Sequence, residues 1–165
     1  AQESGQADRI QSEVKRVLEE AKTPKQPEID PARVIGNVDA PITIVEYSDY
    51  NCGHCGTAHQ TVKALQAKYG DKVRFVFKNF PVLDGRTKTS ALAAEYTEAG
   101  MLQSKEIGYK IHSGIFENQG QLMEKGEAFL KEVAKEAGAD LAKLQKDRKG
   151  AKVKAIVKAD MEEAM

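Results

Sequence analysis

The period of the apolar positions changes along this chain. Over residues 6–22, Ala7, Ile10, Val14, Val17 and Ala21 recur at 3-4-3-4 spacing with Glu, Lys and Arg between them. That is the pattern of an amphipathic helix with a narrow, heptad-like seam. Thr23-Pro24-Lys25-Gln26-Pro27 ends it, because Pro cannot continue a helix and biases the residue before it towards extended backbone. Residues 23–33 therefore read as a linker, and 1–33 as an N-terminal helix and linker ahead of a domain at 34–165.

In the domain the period shortens. Ile42-Thr43-Ile44-Val45-Glu46-Tyr47 is a β-branched run with the length of a strand, and Val73-Arg74-Phe75-Val76-Phe77-Lys78 is a second. Between them, Thr57 to Tyr69 has helical spacing and is closed by Gly70. Two strands joined by a helix form a parallel βαβ unit with a right-handed crossover, here over residues 34–86. From Thr87 onward the pattern is helical. The predicted segments are 88–99, about 101–116, about 122–137, about 140–148 and about 150–164. Gly100 and Gly138 serve as stops, Gly126 interrupts the third segment, and Ser90, Gly120 and Asp140 stand at helix starts. The expected class is α/β, with a large helical block over residues 87–165.

Composition narrows the function. The chain has 165 residues, 41% of them hydrophobic, and 25 Lys plus Arg balance 25 Asp plus Glu. Zero net charge speaks against a nucleic-acid or membrane-surface role driven by charge. No apolar run approaches the roughly 20 residues of a membrane helix. The start Ala1-Gln2-Glu3-Ser4 fits a mature chain after signal-peptide removal, and equally a trimmed one.

Two cysteines carry the candidate chemistry, and they are the only two: Cys52-Gly53-His54-Cys55. They lie where the first strand passes into the helix. Free N–H groups and the positive end of the helix dipole favour a thiolate there. Cys52, expected to be exposed at the helix start, is the attacking thiol. Cys55, one turn inward, resolves the mixed disulfide. Gly53 is expected to relieve strain in the turn. A partly protonated His54 would favour the Cys52 thiolate, hence the reduced form, and make the pair more oxidising. The dipeptide matters, since such pairs range from about −270 to about −120 mV, a span of roughly 7 kcal/mol for two electrons.

Competing readings are weaker. A structural zinc site needs four ligands, so His54, His59 or His112 would have to complete it, and His59 is expected along the helix, away from both sulfurs. Two inert, buried thiols do not suit a strand–helix turn. Glu46 interrupts an apolar strand six residues before Cys52. Beneath the dithiol its pKa would rise and it would relay a proton to or from Cys55; otherwise it is a solvated edge carboxylate. Lys78 would either pair with it or lie free on the surface. Tyr47, Asp49 and Tyr50 read as turn-shaping and groove-flanking residues, and His112 as a packing histidine.

The run from Gly36-Asn37-Val38-Asp39-Ala40-Pro41-Ile42 through Glu46-Tyr47-Ser48-Asp49-Tyr50-Asn51 to Cys52-Gly53-His54-Cys55 strongly resembles the bacterial DsbA-like thiol–disulfide oxidoreductases. Phe77-Lys78-Asn79-Phe80-Pro81 and Gly108-Tyr109-Lys110-Ile111-His112 continue the match, which spans about residues 34–165. Com1-type envelope proteins and the copper-sensitivity suppressor C group look most similar. The resemblance implies a thioredoxin-like fold with a helical insertion, residence in the periplasm, and action on exported cysteine-containing proteins. It also implies a membrane redox partner that recycles the dithiol. By position it makes Cys52 the nucleophile, Cys55 the resolving cysteine and Glu46 the buried acid. Gly53-His54 departs from the family's Pro-His or Pro-Tyr and equals the dipeptide of eukaryotic protein disulfide isomerases, which favours isomerisation over pure oxidation.

One departure is larger. Thioredoxin-like proteins carry a cis-proline loop beside the dithiol, followed by two strands and a helix. Pro24, Pro27, Pro31, Pro41 and Pro81 do not fit that loop. The expectation is that the segment is absent from this chain, as in a fragment, a fold completed by a second chain, or a degenerate form of the fold. No cofactor and no metal are expected. The leading reading is a periplasmic oxidase or isomerase that self-associates as a dimer or trimer through residues 7–21. The alternative is a copper- or metal-handling thiol protein of the envelope, since soft Cu(I) suits two thiolates.

Overall fold

The computed structural model describes residues 2–165, with side chains from residue 5 onward; the Ala1-Gln2-Glu3-Ser4 start lies largely outside the described residues. Helix α1 (Gln2–Lys22) is followed by β1 (Ile35–Gly36), β2 (Ile42–Ser48), α2 (Gly53–Tyr69) and β3 (Val73–Asn79). Helices α3 (Asp84–Thr87), α4 (Ser90–Gln103), α5 (Lys105–Glu117), α6 (Gln119–Lys125), α7 (Glu127–Glu136), α8 (Leu141–Arg148) and α9 (Ala151–Ala164) complete the chain.

The βαβ unit is present. β2 runs parallel to β3 from Ile42↔Val73 to Ser48↔Asn79. The sequence pattern missed β1, a two-residue strand antiparallel to β3, giving the order β1-β3-β2. A strand that short leaves no periodic signal. β2 is therefore an edge strand among the described residues. No peptide bond among them is cis.

β3 is buried along nearly its whole length, with Val73, Phe75, Val76 and Phe77 at 6% exposure or less. Phe75 and Phe77 meet Tyr96, Ile111, Ile115, Phe116, Leu122, Leu130 and Leu144 from the helices in one continuous core. Each fully buried large apolar side chain contributes roughly 1.5–3 kcal/mol, so this cluster outweighs any single surface ion pair.

Several helix boundaries differ from the pattern. α4 begins at Ser90 rather than 88 and runs through Gly100 to Gln103. Gly100 is a packing glycine, not a stop: a Cβ there would lie 3.2 Å from the Gly108 Cα and closer still to Ile111. Gly126, at φ +58°, does split the segment predicted at 122–137, into α6 and α7. Asp140 caps α8 as expected, its Oδ1 accepting from the Lys143 N–H at 3.0 Å. Ser90 does not cap; its hydroxyl donates to Asp49 Oδ1 instead.

The segment predicted as linker is anchored over its second half. The Glu28 N–H donates to the Glu163 carboxylate, and Lys78 Nζ donates to the Glu28 carbonyl at 2.6 Å. Asp30 caps the 3-10 turn Pro31–Arg33, and Arg33 then enters a buried polar cluster. Its guanidinium donates to both carboxylate oxygens of Asp160, at 2.8 and 2.6 Å, and to Glu98 Oε1 at 2.7 Å. The Asn79 amide donates to the same two carboxylates. This cluster ties the domain entry to β3, α4 and α9.

Along α1 the predicted seam lies open. Ile10, Val14, Val17 and Leu18 are each more than half exposed, and ion pairs such as Arg16–Glu20 run along the helix surface.

Candidate active site

The site forms where β2 ends against the start of α2. Asp49 organises the turn. Its Oδ1 accepts from the Asn51 N–H and the Ser90 hydroxyl, and its Oδ2 accepts from the Leu83 N–H. The Asp49 carbonyl accepts from the Cys52 N–H at 3.1 Å. The Asn51 amide donates to Thr87, Thr89 and Ser90, so the turn is fastened to the loop that begins the helical block. Tyr50 does not flank a groove as expected. Its ring is 1% exposed and packs on Phe77, Phe116 and His112 because its side chain points into the core.

Cys52 is the N-cap of α2 and makes no side-chain capping hydrogen bond, so its thiol is not used to close the helix. Cys52 and Cys55 are both free thiols and both partly buried. Cys52 is thus less open than the pattern suggested. Cys55 packs against the core cluster. Burial pushes its thiol up; the Cys52 thiol adds to the effect, while the Ser48 hydroxyl and the Asp49 N–H oppose it. His54 is exposed in the first turn of α2. Gly53 does not relieve strain: its backbone is helical and its φ is not positive, and nothing lies within 4 Å of where a Cβ would stand.

Glu46 is partly buried, and its Oε1 is wholly buried without a hydrogen-bond partner. Burial pushes its carboxyl up, and the Ser48 hydroxyl partly offsets this. The strand period places Glu46 and Ser48 on one face. Ser48 therefore stands beside both Glu46 and Cys55, although its own hydroxyl makes no hydrogen bond of regular geometry. Lys78 does not pair with Glu46. In the parallel register Glu46 opposes Phe77 and Tyr47 opposes Lys78, so Lys78 turns to the other face and meets Glu163 at 2.9 Å. The Tyr47 hydroxyl donates to the same carboxylate.

Two of the three histidines lie behind the dithiol. His112 Nδ1 is 2.9 Å from the Tyr50 hydroxyl, and burial beside His59 holds His112 down at about 3. His59 stacks on Phe116, and its pKa too is lowered by burial. Both are packing groups. Among the described residues no three His, Cys, Asp or Glu side chains gather where a metal ion would be held.

Sequence reasoning missed Gln119, which donates to the backbone carbonyls of Tyr50 and Cys52 at 2.8 and 2.9 Å. It lies 67 residues from Cys52 in an unremarkable polar stretch, so no local pattern marks it. The Arg33 cluster was missed for the same reason, whereas Ser48 and Asn51 lie beside the motif but carry no chemistry of their own that marks them.

A family described as thioredoxin matches residues 28–165. A probable disulfide bond formation protein D of Bacillus cereus is 32% identical over 137 residues, covering 79% of this chain and 62% of that protein. A Na(+)/H(+) antiporter NhaA 1 of Mycolicibacterium vanbaalenii is 32% identical over 124 residues, and the chain spans 19% of its length. A thioredoxin-like oxidoreductase from Silicibacter pomeroyi superposes with a TM-score of 0.69 at 31% identity, over 82% of this chain and 73% of that one. The catalytic domain of Proteus mirabilis ScsC superposes at 0.68 with 18% identity, over 82% and 70% of the two chains, and at that identity shows the shared fold alone.

Proposed function

The chain belongs to the thioredoxin family, and on that premise we propose that it is a thiol–disulfide oxidoreductase of the bacterial periplasm. It oxidises or isomerises disulfides in exported proteins through Cys52 and Cys55. One observation carries the reading: two free thiols sit at the head of α2, one as an uncapped N-cap and the other against the core with its protonated form favoured by burial.

The chemistry follows from that asymmetry. In the reduced protein the Cys52 thiolate attacks one sulfur of a client disulfide, and the other client sulfur leaves as a thiolate and takes a proton. Cys55 then loses its proton and attacks Cys52, releasing the client's second thiol and closing the Cys52–Cys55 disulfide. Run backwards, a client thiolate opens that disulfide at Cys52, and a second client thiol displaces Cys52. The client is oxidised by two electrons, and a membrane redox partner must remove them from the dithiol. If the first mixed disulfide is instead displaced by another client thiol, the client is rearranged with no net oxidation.

Because burial favours protonated Cys55, resolution needs a proton acceptor. In this reading Glu46, with Ser48 between it and Cys55, is that acceptor, and His54 is the group that supports the Cys52 thiolate. Cys55→Ala tests the mechanism: adducts trapped through Cys52 in an envelope extract are expected. Their absence, together with failure to reduce insulin or rescue scrambled ribonuclease, would overturn the proposal.

A further inference from the structure

Gln119 reaches the active turn from a different layer of the fold. It is the first residue of α6, in the helical block. Its Nε2 donates to two carbonyls at once, those of Tyr50 and Cys52, which bracket Asn51. The Cys52 carbonyl also accepts the first helical bond of α2, from the Gly56 N–H at 3.1 Å. That oxygen therefore has both lone pairs engaged.

Gly56 makes the reach possible. A Cβ on Gly56 would stand 2.9 Å from Gln119 Cδ and nearer still to its Oε1. Any other residue at position 56 would have to push the Gln119 side chain aside. Gly56 stands in the first turns of a helix, where it costs about 1 kcal/mol relative to Ala, and the room it leaves is filled by one amide.

We propose that Gln119 is a positioning residue for Cys52, holding the turn so that the thiol stays at the N-cap and offsetting the negative ends of the two carbonyls it bonds there. The electrostatic sense is fixed. A carbonyl oxygen is the negative end of its dipole. An N–H pointed at that oxygen offsets that negative end. The helix N-terminus of α2 supports the thiolate only while Cys52 keeps its N-cap geometry, at φ −82° and ψ 120°. Gln119 serves both needs, and it makes the reactivity of the dithiol depend on how the helical block sits on the turn.

This inference rests on Cys52 being the attacking thiol, and its test reads the thiol itself. Gln119→Met keeps the length and removes the donor. Gly56→Ala leaves Gln119 intact and displaces it. Gln119→Glu keeps the shape but replaces the donor with an acceptor. For each, the pH dependence of Cys52 alkylation is measured in the reduced protein, alongside the glutathione equilibrium of the dithiol and the helical circular dichroism.

Gln119→Met and Gly56→Ala are each expected to move the alkylation midpoint to higher pH, lowering the thiolate fraction at a fixed acidic pH by about tenfold per pH unit of movement. Both are expected to make the dithiol less oxidising. Gln119→Glu moves both further in the same direction. The double variant Gly56→Ala/Gln119→Met is expected to match the single variants, since both remove the same contact. Wild-type profiles in the folded single variants, or a double variant that shifts by the sum of the two, would overturn the proposal. A shifted profile in a protein with no exchange activity would leave it standing while defeating the functional reading.

Discussion

Glu46 and Ser48 share one face of β2, with a wholly buried Glu46 oxygen that no donor reaches and a Ser48 hydroxyl beside both that carboxyl and Cys55. A carboxyl in that position holds its proton to higher pH than a solvated one, because burial penalises its charge. Its cost to stability follows in sign. Below the ordinary carboxylate range both folded and unfolded chains carry the proton, and Glu46 costs nothing. As pH rises, the unfolded chain ionises first, so the folded state loses stability until its own, raised value is passed.

Glu46→Gln is therefore expected to be more stable than the parent at neutral pH, with the difference vanishing in acid. Urea denaturation at several pH values checks this. The same substitution is expected to prolong the life of mixed disulfides by slowing resolution at Cys55, read by quenched-flow trapping. Equal stability at every pH would place Glu46 in solvent and remove it from the mechanism.

His54 stands exposed beside the dithiol, and Gly53 has ordinary helical geometry with open space around it. The two positions therefore predict different things. His54→Ala removes the imidazole between the two cysteines and is expected to lower the reduction potential, by on the order of 30 mV for each 1.4 kcal/mol of thiolate support lost. A glutathione titration showing no shift or an upward one would exclude that role. Gly53→Ala is expected to stabilise the reduced protein by roughly 0.4–1 kcal/mol, since it only restricts the unfolded chain. Chemical denaturation reads it.

Arg33 is expected to matter for stability rather than chemistry. Its side chain is 10% exposed and holds two carboxylates that are each 3% exposed. Arg33→Met leaves Asp160 and Glu98 buried with only Asn79 as a shared donor. Breaking a buried pair in this way costs roughly 3–5 kcal/mol. The denaturation midpoint is expected to fall accordingly, with thiol alkylation rates unchanged in the folded protein.

How much of this could be read in the sequence follows from contact range. Cys52, Cys55 and Glu46 lie within one strand–turn–helix, and local periodicity places them correctly. Lys78 is not placed this way: the pattern finds the strand but not its pairing frame, and a one-residue offset sends a side chain to the opposite face. Gln119 and the Arg33–Asp160 pair join residues 67 and 127 positions apart. No period links them, and each is an ordinary polar residue until the fold brings it to its partner. Gly100 looked like a helix end because a glycine's two uses, termination and close approach, give the same letter.

The N-terminal helix supplies the last prediction. Ile10, Val14, Val17 and Leu18 are each more than half exposed along α1. Ion pairs from Arg16 to Glu13 and Glu20 line its polar side, so the helix has a charged surface and an uncovered seam. A lone helix of this length is marginal in water, and exposed surface pairs add only a few tenths of a kcal/mol each. Its stability must come from covering the seam, and the 3-4 spacing suits a second or third copy of the same helix. Association there would place several Cys52 sites around one space, which favours reshuffling wrong disulfides over making new ones. Removing residues 1–22 is therefore expected to give a monomer that still oxidises dithiols but no longer rescues scrambled ribonuclease. Light scattering on the full chain at micromolar concentration decides first: a monomer there would mean that the seam is covered in some other way, and the case for isomerisation would lose its physical basis.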